Sequence, residues 1–181
     1  RDALANNVAA PRVPLANVRL RSPVLQPPTI RDYIVYEEHA TSQGTREVDE
    51  GWYRMPVFYF SNPLVIYGPD EQVPYPSASD QLDYELEIGF VLARGLFNAT
   101  PAEALDAIGA FVVLNDFSAR DVQRAEMASG FGPQKSKHFA SSLSEVAVTA
   151  DEILPHIDDL HGTVAINGVT VANVSSAGMH H

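Results

Sequence analysis

Hydrophobic and polar residues alternate along much of this chain with a period of two, the rhythm of half-buried strands. The clearest case is 82–91, Leu-Asp-Tyr-Glu-Leu-Glu-Ile-Gly-Phe-Val, with strict alternation from Asp83 to Ile88. It sets Tyr84, Leu86, Ile88 and Phe90 on one face and Asp83, Glu85, Glu87 and Gly89 on the other. The apolar run 111–114 predicts a buried strand that ends at Asn115-Asp116. Shorter strands are predicted over 18–25, closed by Pro27-Pro28, and over 55–60, 64–67 and 146–149. Residues 164–174 hold Asn167-Gly168 between alternating apolar positions, the strongest hairpin signal in the chain.

Helical signals are short. Thr100 with Glu103 three residues on makes a capping box that opens a helix over 101–109. Ser118 has N-cap chemistry, and 119–127 has helix-forming composition. Residues 33–43 predict a helix carrying Glu38 and His39, followed over 44–51 by a polar loop, a candidate lid. Ser175-Ser176 read as the cap of a further helix. Strands dominate and no βαβ rhythm occurs, so the fold class is α+β, mixed and largely antiparallel.

Bulk properties narrow the class. A chain of 181 residues, 45% hydrophobic and 19% charged, fits one globular domain with a core. The formal net charge of −11 argues against nucleic acid and anionic membranes as partners. The absence of cysteine excludes disulfides, thiolate metal sites and a cysteine nucleophile, and fits a cytoplasmic setting. No apolar stretch approaches the ~20 residues of a membrane span. Residues 8–24 are interrupted by prolines and arginines, unlike a signal peptide. The chain opens at Arg1, without methionine, and both ends are expected to be cut.

Two stretches carry chemistry. Glu85 and Glu87 on one strand face lie roughly 6–7 Å apart and repel unless solvated or bridged by a cation. Hard divalent ions such as Mg²⁺ or Ca²⁺ take oxygen ligands of this kind, although a lone Glu-x-Glu also suits an ordinary solvent-facing strand. In 114–123, Leu-Asn-Asp-Phe-Ser-Ala-Arg-Asp-Val-Gln, Asp116 falls at a strand end while Arg120 and Gln123 project from one helical face. An acid, a guanidinium and an amide at one junction suit a metal and an anionic ligand together. A simple Asp116–Arg120 pair beside a capped helix fits the same residues.

Taken together, Leu-Asp-Tyr-Glu-Leu-Glu, Leu-Asn-Asp-Phe-Ser-Ala-Arg-Asp-Val-Gln and the later Gly-Phe-Gly-Pro-Gln-Lys-Ser-Lys-His-Phe-Ala-Ser-Ser-Leu-Ser resemble the fumarylacetoacetate hydrolase family, from about Val18 to the end. The resemblance implies a mixed, largely antiparallel β-roll of the fumarylacetoacetase catalytic-domain type. Residues 1–30 would form an N-terminal extension with the first strand, and 31–181 a catalytic domain incomplete at its C-terminus. It implies a cytoplasmic homodimer that uses Mg²⁺, or Ca²⁺ or Mn²⁺, to cleave a C–C bond in a β-diketo acid, as in aromatic catabolism. The partner is then a small anionic keto-acid substrate. The implied metal ligands are Asp32, Glu85, Glu87 and Asp116. His39, seven residues after Asp32, matches the histidine that activates water, although a lone surface histidine is also common. Arg120, Gln123 and Lys137 match the trio that stabilises substrate and transition state, and Tyr59 and Ser141 are assigned to substrate binding, with core packing a strong competing role for Tyr59. Lys137 rather than Lys135 matches the family's catalytic lysine, because it is followed by x-Phe and two small residues, as that lysine is, and Lys135 reads as a surface charge or a phosphate-like contact.

On this reading the substrate is held as its enolate, His39-activated water attacks the carbonyl, and Lys137 and Gln123 stabilise the developing charge. Arg120 is expected to pair with a substrate carboxylate. Three departures bear on the reading. Phe117 stands where the family often has Trp. Position 42 is Ser, so the His-x-x-Glu dyad of the acylpyruvase-like branch is absent after His39. The C-terminal part of the fold, with a glutamate that orients the histidine, is expected to be missing, so the 181-residue chain is expected to be nearly inactive. The alternatives are a decarboxylase or keto–enol isomerase on the same site, or a non-catalytic metal-binding fragment.

Overall fold

The computed structural model describes residues 12–41, 44 and 47–181. Its strands are β1 (Ile30–Tyr33), β2 (Phe58–Ser61), β3 (Ile66–Tyr67), β4 (Leu82–Asp83), β5 (Leu86–Leu92), β6 (Ile108–Asp116), β7 (Ser118–Ala119), β8 (Ser141–Leu143), β9 (Val148–Thr149), β10 (His161–Ile166) and β11 (Val169–Ser175). The α-helices are α1 (Glu37–Ala40), α2 (Glu50–Arg54), α3 (Pro101–Asp106), α4 (Arg120–Ala128) and α5 (Ala150–Ile153).

β6 organises the rest. Its apolar centre, with Phe111 and Val112 buried, gives it the composition of an interior strand. β5 pairs antiparallel along its length, from Leu86 opposite Asn115 to Leu92 opposite Ile108. β8 and β9 take the other edge, both antiparallel, and β3 joins β8 in parallel. The remaining strands form three antiparallel ribbons, β1–β2, β4–β7 and β10–β11. The fold is therefore mixed α+β and mostly antiparallel, and no sheet closes into a barrel among the described residues. The largest fully buried side chains are Asp116, Ser118, Ser136 and Ser141, so the interior turns polar where β6 ends.

Local signals succeed where the partners are near in sequence. Thr100 accepts from the Glu103 N–H while Glu103 accepts from the Thr100 N–H, completing the capping box of α3. That helix stops at Asp106 because Ile108 and Gly109 already belong to β6. Asn167 and Gly168 take φ of 51° and 80°, the left-handed pair that a tight type I′ hairpin between β10 and β11 requires.

Elsewhere the structure corrects the sequence pattern. Residues 18–25 form no strand: Pro23 lacks a donor, and the Ser22 hydroxyl donates to the Val24 carbonyl at 2.8 Å and bends the chain. The first strand is β1, which also takes the start of the predicted 33–43 helix and leaves only Glu37–Ala40 helical. Positions 42 and 43 of that helix, including Ser42, lie outside the described residues, as do 45 and 46 of the candidate lid. The end of that lid opens α2, where the Asp49 carboxylate accepts from the Gly51 N–H at 2.7 Å. Ser118 does not cap α4; it pairs with Asp83 across the β4–β7 ribbon and donates to the Asp116 carbonyl. Ser175 ends β11 rather than preceding a helix, and the Ser176 hydroxyl accepts from the Leu160 N–H at 2.8 Å.

In β5 the structure decides which face is buried. Its apolar face, Ile88, Phe90 and Leu92, is the exposed one, and the acidic face turns inward. The next strand explains this choice. β6 brings Asp116 to the inner side, and Lys137 arrives there as counter-charge.

Candidate metal centre

Asp32, Glu85, Glu87 and Asp116 converge, each offering a carboxylate oxygen within 4.8 Å of the others. β1 carries Asp32, the turn between β4 and β5 carries Glu85, β5 carries Glu87 and the last position of β6 carries Asp116. Backbone bonds hold the junction together. The Asp116 N–H donates to the Glu85 carbonyl at 3.2 Å, and the Glu85 N–H donates to the Asn115 side chain at 3.1 Å. The β1–β2 ribbon sets Asp32 opposite Tyr59. The Tyr59 hydroxyl touches Asp32 Oδ2 at 2.8 Å and also Asp116 Oδ2. One phenolic proton serves two carboxylates, so the second contact needs a proton on an acid or a cation beside it.

Two cations meet the cluster. Lys137, 2% exposed, donates from Nζ to Glu85 Oε2 at 2.5 Å and to Asp116 Oδ2 at 2.7 Å. Arg120, in the first turn of α4, donates from Nε to Asp83 at 2.7 Å and from Nη1 to Glu85 at 2.6 Å and to Gln123 at 2.9 Å. The Asp116–Arg120 pair read from the sequence does not form. Arg120 spends its Nε and Nη1 on Asp83, Glu85 and Gln123, which makes it a brace for Glu85. Ser141, opposite Asp116 across β6 and β8, is fully buried and donates to Asp116 Oδ1 at 3.3 Å.

The protonation pattern follows from burial and crowding. Burial first, and then the neighbouring Asp32, Asp116 and Glu85 charges, push the Glu87 carboxyl up to about 10. No described residue gives the Glu87 side-chain carboxyl a hydrogen bond. Burial also dominates at Asp32, raised to about 6, with Asp116 adding to the rise and the Tyr59 hydroxyl and Lys137 opposing it. Glu85 runs the other way: burial pushes up, but Lys137 and Arg120 outweigh it and hold the carboxyl below its usual range. Burial would lower Lys137, yet Asp116 and Glu85 keep it raised and charged. Tyr59 is pushed upward by burial and by both acids, so it stays a phenol. Four oxygen donors around more negative charge than Lys137 neutralises fit a hard divalent ion.

His39 lies on α1 and is exposed, and its ring has no hydrogen bond or ion pair with a described residue. Asp83 was legible only as a face-mate of Glu85, and its pairing with Arg120 needed the β4–β7 ribbon. Asn115 and Glu126 carried no sequence signal for the contacts they make.

The profile of the fumarylacetoacetate hydrolase C-terminal domain matches residues 29–181, and the chain belongs to that family. It is 26% identical over 175 residues to a fumarylacetoacetate hydrolase domain-containing protein 2 homolog of Dictyostelium discoideum, covering 93% of this chain and 56% of that protein. It is 30% identical over 157 residues to the fumarylacetoacetase of Rattus norvegicus, covering 72% of this chain and 37% of that protein. The chain thus spans about half or less of the length of these relatives. Among solved structures, a 5-carboxymethyl-2-hydroxymuconate delta-isomerase from Mycobacterium smegmatis shares the fold with a TM-score of 0.74 at 24% identity, over 95% of this chain and 64% of that one. A fumarylacetoacetate hydrolase from Exiguobacterium antarcticum does so with a TM-score of 0.71 at 24% identity, over 95% and 59%. Among the described residues no helix is long and apolar enough to cross a membrane.

Proposed function

We propose that this chain carries the catalytic centre of a divalent-metal-dependent hydrolase that cleaves a C–C bond in a β-diketo acid of the fumarylacetoacetate or acylpyruvate type. The observation that carries the reading is the convergence of Asp32, Glu85, Glu87 and Asp116 within 4.8 Å, with the Lys137 ammonium set among them. Those four acids would hold Mg²⁺, or Ca²⁺ or Mn²⁺, which supplies Lewis-acid polarisation of a substrate oxygen.

The chain's own residues do the rest. His39 takes a proton from water at a ring nitrogen, and the resulting hydroxide adds to the carbonyl carbon. The C–C bond to the neighbouring carbon then breaks, and that carbon receives the proton. Lys137 and Gln123 stabilise negative charge on the reacting oxygen, while Arg120 keeps Glu85 ionised and in place. Tyr59 lies against two of the acids with its ring 5.8 Å from Lys137 Nζ, where it bounds the space for a small anionic substrate. A homodimer is the assembly in which we expect the centre to work.

A structural relative of the same fold is a 5-carboxymethyl-2-hydroxymuconate delta-isomerase, and in a second reading the same centre moves a proton between keto and enol forms, or releases CO₂, without adding water. Assay of the natural protein with Mg²⁺ against fumarylpyruvate, acetopyruvate and oxaloacetate separates the two. Release of two carboxylic acid products supports hydrolysis. Pyruvate from oxaloacetate alone supports decarboxylation, and turnover of none of the three with saturating Mg²⁺ rejects the hydrolase reading.

A further inference from the structure

The loop that delivers Lys137 has little side-chain packing of its own, since Phe131, Gln134 and Lys135 are exposed. One carboxylate gathers its backbone. Glu126, on the last turns of α4, accepts from three successive backbone N–H groups: Gln134 at 3.3 Å, Lys135 at 2.6 Å and Ser136 at 2.9 Å. Successive N–H groups pointing to one spot form an anion-binding concavity, and here a side chain of the same protein fills it. The loop lies directly on that side chain, because a Cβ at Gly132 would come within 2.9 Å of Glu126 Cβ. The Ser136 carbonyl accepts from the Ala119 N–H at 2.9 Å, which ties the same loop to the start of α4. Lys137 follows immediately, with its side chain 3% exposed between Glu85 and Asp116.

We propose that Glu126 is the positioning residue for Lys137: its carboxylate gathers the backbone of residues 134–136 and thereby fixes the ammonium in the acidic cluster. The same helix then sets Arg120 and Gln123 directly and Lys137 at one remove, so all three cationic or amide groups share one rigid frame. The functional half of this inference rests on the hydrolase reading above, and the positional half does not.

The test uses Glu126→Ala, Glu126→Gln and Glu126→Asp in the natural protein. With Glu126→Ala, amide exchange at 134–137 should rise by about tenfold or more while β5 and β6 keep their protection, and acetic anhydride should begin to acylate Lys137. With acetopyruvate and Mg²⁺, kcat should fall by about 10–100-fold, the range seen when outer-sphere partners are removed, with KM within about twofold. Glu126→Gln keeps one acceptor oxygen and should fall between parent and Glu126→Ala. Glu126→Asp, which keeps both oxygens, should recover more of the kcat. Unchanged exchange at 134–137 overturns the proposal, as does exchange that rises equally across β5 and β6, because Glu126 then supports the fold in general. A loosened loop with parental kcat overturns the link to Lys137 function. If the parent turns over no acylpyruvate, the exchange and acylation results still decide the positional claim, and the failure belongs to the hydrolase reading.

Discussion

Lys137 and Asp116 form an ion pair, Nζ to Oδ2 2.7 Å, in which the two side chains are only 3% and 2% exposed. Glu85 shares the same ammonium from a side chain that is 20% exposed. Removing one partner of a buried pair costs more than the pair contributes, because the other charge stays behind unpaired. We therefore expect Lys137→Met to destabilise the metal-free protein by about 3–5 kcal/mol in urea unfolding. Lys137→Arg should not restore the parent value, since a planar fork does not replace a compact ammonium between two acids. A Lys137→Met protein within about 1 kcal/mol of the parent would show that the pair contributes nothing structural.

Divalent cation should stabilise the fold by mass action. At a free concentration a hundred times its Kd, an ion that binds only the folded chain adds about 2.7 kcal/mol. Melting of the parent in EDTA and then in excess Mg²⁺ should show a clear rise with the ion. Glu85→Ala should lose most of that rise. It should also melt lower in the presence of Mg²⁺, because both Arg120 and Lys137 lose a partner. A parent melting temperature that EDTA leaves untouched would remove the metal centre from consideration.

The raised carboxyls fix the sign of the pH dependence. The folded metal-free chain holds protons on Glu87 up to about 10 and on Asp32 up to about 6, against ordinary values of 4.5 and 3.8. Within those windows the folded state binds more protons than the unfolded state, so stability falls as pH rises. Glu85, with its lowered carboxyl, contributes stability that is present above 4.5 and disappears as pH falls through its folded value. In EDTA, between pH 5 and pH 9, the Glu87 contribution should make the protein melt lower with rising pH. Mg²⁺ must displace these protons, so its affinity should increase with pH and its binding should release protons, measurable by calorimetry in buffers of different ionisation enthalpy. A metal affinity that is flat from pH 6 to pH 9 would contradict the protonation of Glu87.

How much of this was legible depends on the range over which each contact acts. The α3 capping box and the Asn167-Gly168 hairpin involve neighbours in sequence, and the structure keeps both. The acids Asp32, Glu85, Glu87 and Asp116 were nameable through the family resemblance; the pairing of β5 with β6 brings the last three together, and Asp32 meets them through Tyr59, its partner across β1 and β2, whose hydroxyl touches both Asp32 and Asp116. Alternation in β5 gave the two faces but not which one is buried; that depends on a lysine 52 residues away in the chain. The brace from Asp83 to Arg120 and the cradle at Glu126 were hidden for the same reason. Residues 18–25 misled in the opposite sense, because alternation without a partner strand makes no sheet.

His39 bears the strongest functional expectation, and its placement sharpens the test. It sits on the four-residue α1, seven positions after Asp32, with its ring exposed and free of described partners. A histidine so placed holds no part of the metal cluster together, so removing it should leave metal binding alone. If it takes the proton from water, His39→Ala in the natural protein should lower kcat by roughly 10²–10⁴. The Mg²⁺-induced rise in melting temperature should stay at the parental size. Glu37 and Glu38 should not replace it, since residues one or two apart on a helix do not share a face, and the Glu37 carboxylate already accepts from the Tyr53 hydroxyl at 2.8 Å. His39→Gln, which keeps a polar side chain but cannot take up a proton near neutral pH, should be as slow as His39→Ala. Parental kcat in either variant would move the proton-accepting role elsewhere. An equal loss of kcat and of the Mg²⁺-induced stabilisation would make His39 part of the metal centre's structure instead.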